Sequence, residues 1–86
     1  MYVWVYRFFK EIDESGQVIK DQITVYRDYK TARKEYEDRK RLIEKEVKGK
    51  ELLCHYESKN YFMVKVDEAA GMSYMVTMRK QKVVEV

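Results

Sequence analysis

The sequence contains no proline, three glycines, one cysteine and one histidine. Each scarcity excludes something. A lone cysteine, Cys54, cannot close an internal disulfide and fits a reducing compartment. One histidine and one cysteine do not fill a tetrahedral zinc sphere without several carboxylates at matching spacing, so no metal or cofactor is expected. Gly16, Gly49 and Gly71 stand apart at expected turns and helix ends. No glycine-rich loop exists to cradle phosphate, and no linker or repeat is visible. No segment approaches the roughly 18 apolar residues of a membrane span. The N-terminal residues lack the apolar run and small-residue cleavage site of a signal peptide. The expectation is a cytoplasmic chain with no membrane partner.

What is abundant is aromatic and charged. Of 86 residues, eight are Tyr, three Phe and one Trp, and 38% carry charge. A chain of this length folds as one domain over 1–86 and buries only about 60–65% of its unfolded surface. It therefore needs most of its large side chains in a core or an interface. The net charge of +3 is a mild bias, weaker than the concentrated basic stripe of a dedicated nucleic-acid domain.

The pattern predicts ββαβββ, an α+β domain with one helix packed on an antiparallel sheet. Strands are expected over 2–12 and 17–27, joined at the turn cluster Asp13-Glu14-Ser15-Gly16. Asp28 or Thr31 can cap a helix that runs to about Lys48 and ends at Gly49. Its apolar stripe is Tyr29, Ala32, Tyr36, Ile43 and Val47 with Leu42 beside it, interrupted by Arg39 and Lys40. The spacing predicts ion pairs Glu35–Arg39, Glu37–Arg41 and Glu44–Lys48. Further strands are expected over 51–57, 61–67 and 72–79, with a bend at Lys80-Gln81-Lys82 before Val83, Val84 and Val86. In the third strand, Leu53 is assigned to one row and Leu52, Cys54 and Tyr56 to the other.

The first strand is the most informative segment. Tyr2, Trp4, Tyr6 and Phe8 occupy one row, while Val3, Val5 and Phe9 occupy the other around Arg7. One thin helix covers one face, so the second apolar face calls for curling of the sheet, a second copy or a partner.

Catalytic signals are weak. Cys54 and His55 are sequence neighbours on a strand and point to opposite faces, so they do not form a dyad. Cys54 is expected in a core and His55 near solvent. The acidic residues lie in turns and on the helix, away from apolar runs that would tune them as acids or bases. Arg33, Lys34, Arg41 and Lys45 could form a basic strip on the helix. The segment Lys59 to Val66 resembles the first ribonucleoprotein motif of RNA-recognition domains at Lys59, Tyr61 and Val64. It departs from that motif at Asn60, Phe62, Met63 and Val66, and that family has two helices where this chain reads as one. No site is carried over from it.

The expectation is a non-enzymatic macromolecule-binding protein, a homodimer that covers a functional surface of a protein target. Inhibitors of host defence encoded by phages and mobile elements are one such class, suggested by size and composition. The alternative is a nucleic-acid-binding module with an aromatic sheet face and a basic helix. A second alternative is a protein that sequesters a small metabolite at a dimer interface. Large stiff aromatics and arginines supply most interface energy, so the candidate binding residues are Tyr2, Trp4, Tyr6, Arg7, Tyr26, Tyr74, Arg33 and Arg41.

Overall fold

Strand-forming runs alternate with short polar turns throughout, and the computed structural model, which describes residues 1–84, arranges them in one sheet. The elements are β1 (Tyr2–Ile12), β2 (Val18–Tyr26), α1 (Tyr29–Glu46), β3 (Leu52–Glu57), β4 (Tyr61–Val66) and β5 (Met72–Lys82). The expected ββαβββ architecture is present. All strand pairs are antiparallel, in the order β2-β1-β5-β4-β3, so the first and last strands meet at the centre. α1 carries the chain from one sheet edge to the other.

The β1–β5 pairing runs without interruption from Tyr2 opposite Lys82 to Ile12 opposite Met72. This corrects the expected bend at Lys80-Gln81-Lys82. Because β1 begins at Tyr2, its ladder has a partner at every position through Lys82, and the Val83 amide still donates to the Met1 carbonyl. The expected continuation to Val86 lies outside the described residues.

Asp28 opens the helix. Its backbone is extended, and its carboxylate accepts from the Lys30 and Thr31 amides and from the Thr31 hydroxyl. Those bonds satisfy amides that the first helical turn leaves free, and the Thr31 contacts hold the carboxyl below its ordinary pKa. The predicted ion pairs of the helix are replaced by others. Arg33 pairs with Glu37, and Lys34 and Arg41 both pair with Asp38. Lys48 falls beyond the helix end, and Arg39 is turned inward.

That inward turn explains the gap in the apolar stripe. Ala32, Tyr36, Ile43 and Val47 are buried against the sheet. At the gap, the Arg39 guanidinium carbon lies 4.3 Å from the Phe8 ring centroid and Lys40 Nζ lies 5.7 Å from that of Phe62. Cations over aromatic faces fill the positions where apolar residues are missing. Lys40 also pairs with Glu57 on β3, and Lys10 on β1 with Glu46 at 2.8 Å. These two bridges tie the helix to the sheet on either side.

The core beneath the helix is one row from each inner strand: Tyr6 and Phe8 on β1, Tyr74, Val76 and Met78 on β5, and Phe62, Val64 and Val66 on β4. β3 departs from the expected alternation. A bulge at Leu53 shifts the register, so Leu52 stands opposite Val66 and Cys54 opposite Lys65. Leu52 thus sits on the helix side. His55 shares that side, with its ring edge-on to Phe62 at 5.6 Å. Cys54 is half-buried on the opposite face rather than in the core.

Candidate interaction surface

The candidate binding residues do not form one site. Tyr6 is 0% exposed and Tyr74 2% exposed, both under the helix. Trp4 is half-buried on the same face, its ring edge-on to Tyr29 with centroids 4.8 Å apart, and Tyr26 packs beside it. Tyr2, at the strand end, is 52% exposed and carries Lys80 Nζ 4.3 Å above its ring. The aromatic row is therefore core and core margin. The helical arginines are engaged as well. Arg33 donates to the Lys59 carbonyl and to Asn60 Oδ1, and Arg41 Nη2 donates to Asp38. The aromatic row and the basic residues of the helix therefore do not form one continuous surface: most of the row is buried under α1, while Arg41 stays exposed and, among the described residues, pairs only with Asp38 of its own helix.

Arg7 alone of the set lies on the other face, and that face is the candidate surface. Period-two alternation brings Val5, Arg7 and Phe9 of β1 alongside Ile23 and Val25 of β2, Met75, Thr77 and Arg79 of β5, Tyr61 and Met63 of β4, and Tyr56 of β3. No element of the described chain covers it; the molecule measures 48 × 23 × 16 Å, thin enough for one sheet and one helix layer. Ile23 is 61% exposed, Val25 59% and Tyr56 54%. Isolated exposed apolar residues are ordinary, but neighbours on one sheet face form a patch of the kind that marks contact sites.

Two arginines flank the apolar centre of this face. Arg7 makes a bidentate pair with Asp21, Nε to Oδ1 at 2.9 Å and Nη2 to Oδ2 at 3.0 Å, and lies 5.2 Å from the Phe9 ring centroid. The guanidinium holds the Asp21 carboxyl below its usual range. Arg79 makes no ion pair among the described residues. Tyr61 packs edge-on against Tyr56 at 5.3 Å. Val5, Arg7, Ile23, Tyr61, Met75 and Arg79 line a depression of about 500 Å³.

Among the described residues no group of three His, Cys, Asp or Glu side chains could hold a metal ion, and no helix is long and apolar enough to cross a membrane. The strongest perturbations lie in the core. Burial pushes the phenols of Tyr36 and Tyr74 up to about 12 and raises that of Tyr6. The Tyr36 hydroxyl has no hydrogen-bond partner among the described residues. A folded-state pKa above the unfolded value stabilises the fold below the ordinary value of 10.0, and that contribution is lost as pH rises through about 12. Absorbance titration at 295 nm should therefore show Tyr6, Tyr36 and Tyr74 ionising late, together with loss of circular dichroism. Full ionisation of all eight tyrosines while the fold persists would contradict this burial.

The sequence signal for this surface was the apolar row Ile19, Ile23 and Val25 on β2. Ile23 and Val25 fall on the side away from the helix, because Tyr26, Thr24 and Gln22 take the helix-facing places opposite Trp4, Tyr6 and Phe8, while Ile19 lies in the register shift opposite Lys10 and Glu11. No protein-family model, curated protein or solved structure matches the chain.

Proposed function

We propose that this chain is a non-enzymatic binding protein whose contact surface is the uncovered sheet face, and that its partner is a protein. One observation carries the reading: a five-stranded sheet has its helix on one face only, and the other face presents neighbouring aliphatic and aromatic side chains around two arginines. Aromatics and arginine set among apolar contacts are the composition of interface hot spots. A surface of this kind acts by covering another. In the defence-inhibitor form of the reading, the covered surface is a functional surface of a host defence system.

The depression supports a second reading, capture of a small anion. Its volume falls within the range of small-molecule sites, and Arg7 and Arg79 border it.

Capture from lysate with immobilised protein separates these readings. A protein partner held through the face should be retained after nuclease and at high salt, and lost on Arg79→Glu or Tyr61→Ala with melting temperature preserved. An Arg hot spot contributes about 2 kcal/mol or more, roughly 30-fold in affinity. Loss on nuclease treatment with steep salt dependence would replace the protein by nucleic acid. Retention undiminished by both substitutions would remove the face as the contact surface.

A further inference from the structure

The sheet has two edges, and they differ. β3 is six residues long and bulged at Leu53, which blunts it against pairing. β2 is nine residues long, pairs with β1 on one side only, contains no proline, and keeps its register shift at Ile19 near its start, so Lys20 to Tyr26 run regularly. Its outer backbone groups form an open template, and the strand carries exposed Ile23 and Val25. From this edge we infer that two copies of the chain pair antiparallel through β2, about a two-fold axis at Thr24, and merge their sheets.

The register follows from charge. A two-fold axis perpendicular to the sheet keeps both helices on one side and places residues opposite each other in same-face pairs. With the axis at Asp21, that carboxylate meets its own copy. At Gln22, Asp21 faces Ile23 and Lys20 faces Thr24. At Ile23, Asp21 faces Val25 and Arg27 faces Ile19. At Val25, Arg27 faces Ile23. Only the axis at Thr24 sets Asp21 opposite Arg27, Lys20 opposite Asp28 and Ile23 opposite Val25, each pair formed twice by symmetry. Opposite charges and β-branched aliphatics facing across strands are the stabilising pairs of antiparallel sheets, and like charges are destabilising.

The residues are placed to allow it. β2 ends at Tyr26 and the chain bends at Arg27, so the Arg27 and Asp28 contacts are side-chain pairs beyond the end of the ladder; Asp28 itself is extended, with φ −102° and ψ 124°. Arg27 and Lys20 make no ion pair among the described residues. Asp21 is held by Arg7 from within the sheet, and its carboxylate has acceptor sites left for a second guanidinium. The contact uses the edge and leaves the uncovered face open, so it extends that face across both copies without depending on the function assigned to it.

Symmetric cross-linking tests the register. Directly opposed residues in an antiparallel pair have Cα atoms about 4.5–5.5 Å apart, within disulfide reach. In a Cys54→Ser background, Thr24→Cys should give an oxidised dimer. Ile23→Cys alone should not, whereas Ile23→Cys mixed with Val25→Cys should. In sedimentation at micromolar concentration the unmodified chain should be dimeric. Arg27→Asp and Asp21→Arg should each weaken association about tenfold or more with unchanged circular dichroism, and an equimolar mixture of the two should restore it. A monomeric parent chain, or a dimer insensitive to Arg27→Asp and not cross-linked by Thr24→Cys, overturns the proposal. Target capture by the monomeric Arg27→Asp variant would leave the face reading intact, so the two can fail separately.

Discussion

Tyr6→Ala is expected to remove most of the stability of this protein. The ring is wholly buried in β1, between Thr24 of β2 and Met78 of β5, and it faces the helix. Truncating a buried aromatic to alanine costs about 3–5 kcal/mol, from lost transfer energy and the cavity left behind. Whole domains have about 5–15 kcal/mol, and a chain this small belongs near the lower end. For a domain of this size each kcal/mol shifts the midpoint by about 4–8 °C, so the melting temperature should fall by roughly 15–30 °C or the cooperative transition should vanish. Tyr6→Phe separates volume from polarity. It keeps the packing and loses one hydrogen bond, the donation from Arg39 Nε at 3.3 Å, a cost of about 0.5–1.5 kcal/mol. Thermal denaturation followed by circular dichroism reads both variants. A Tyr6→Ala protein that melts within a few degrees of the parent would mean that the ring is not a core residue and that the aromatic row belongs to a binding surface.

That experiment bears on how much of this molecule the sequence discloses. Strand alternation identified the rows correctly: Tyr2, Trp4, Tyr6 and Phe8 share a face, as do Phe62, Val64 and Val66, and Met72, Tyr74, Val76 and Met78. Period two does not state which row a helix covers. In β1 both rows are apolar, so hydrophobicity alone cannot choose between them. The choice is made by the other strands. β4 and β5 have strong apolar rows that pair in register with Tyr6 and Phe8, and α1 lies over the combined patch. β2 follows by register, which sends its own apolar row to the far side. The aromatic residues are the larger, and they went under the helix. The smaller aliphatic row, which looks like weaker interface material, stayed uncovered.

Two further departures have local causes. The bulge at Leu53 follows from no turn residue or glycine in β3. It appears only when β3 is laid against β4, so alternation counted along β3 alone puts Leu52 on the wrong side. The helix arginines and lysines look solvent-facing by composition, yet Arg33 reaches a carbonyl of the β3–β4 turn, and Arg39 and Lys40 reach an aromatic face and a carboxylate of the sheet. A long side chain with an apolar stem can serve as wall and charge at once. The consequence for function is direct. Arg33, Arg39 and Lys40, used to close the core, are thereby withdrawn from the surface, whereas Arg79 of the uncovered face makes no ion pair among the described residues.

Gly71→Ala should be the most damaging single-methyl change in the chain. Gly71 ends the turn between β4 and β5 at φ +70°, where an L-residue meets its own backbone. The strain of that conformation is about 1–2 kcal/mol. A Cβ there would also stand 2.9 Å from the Asp13 Cβ. Asp13 cannot move aside cheaply. Its amide donates to the Gly71 carbonyl, the Glu14 amide donates to the Ala70 carbonyl, and its carboxylate accepts from the Ser73 hydroxyl. These bonds lock the β1–β2 turn to the β4–β5 turn at one end of the sheet, next to the last β1–β5 pair, Ile12 opposite Met72. Overpacking at a fixed contact adds about 1–3 kcal/mol, for a total near 2–5 kcal/mol. Gly49→Ala supplies the control. Its φ is +82° and nothing lies within 4 Å of the added carbon, so it should show the conformational cost alone. Side-by-side urea denaturation should place Gly71→Ala below Gly49→Ala by at least 1 kcal/mol. A second substitution, Asp13→Gly, should narrow that gap by removing the Cβ and carboxylate that the added methyl meets. Equal losses at the two glycines would show that the turns do not grip each other and that φ alone sets the cost.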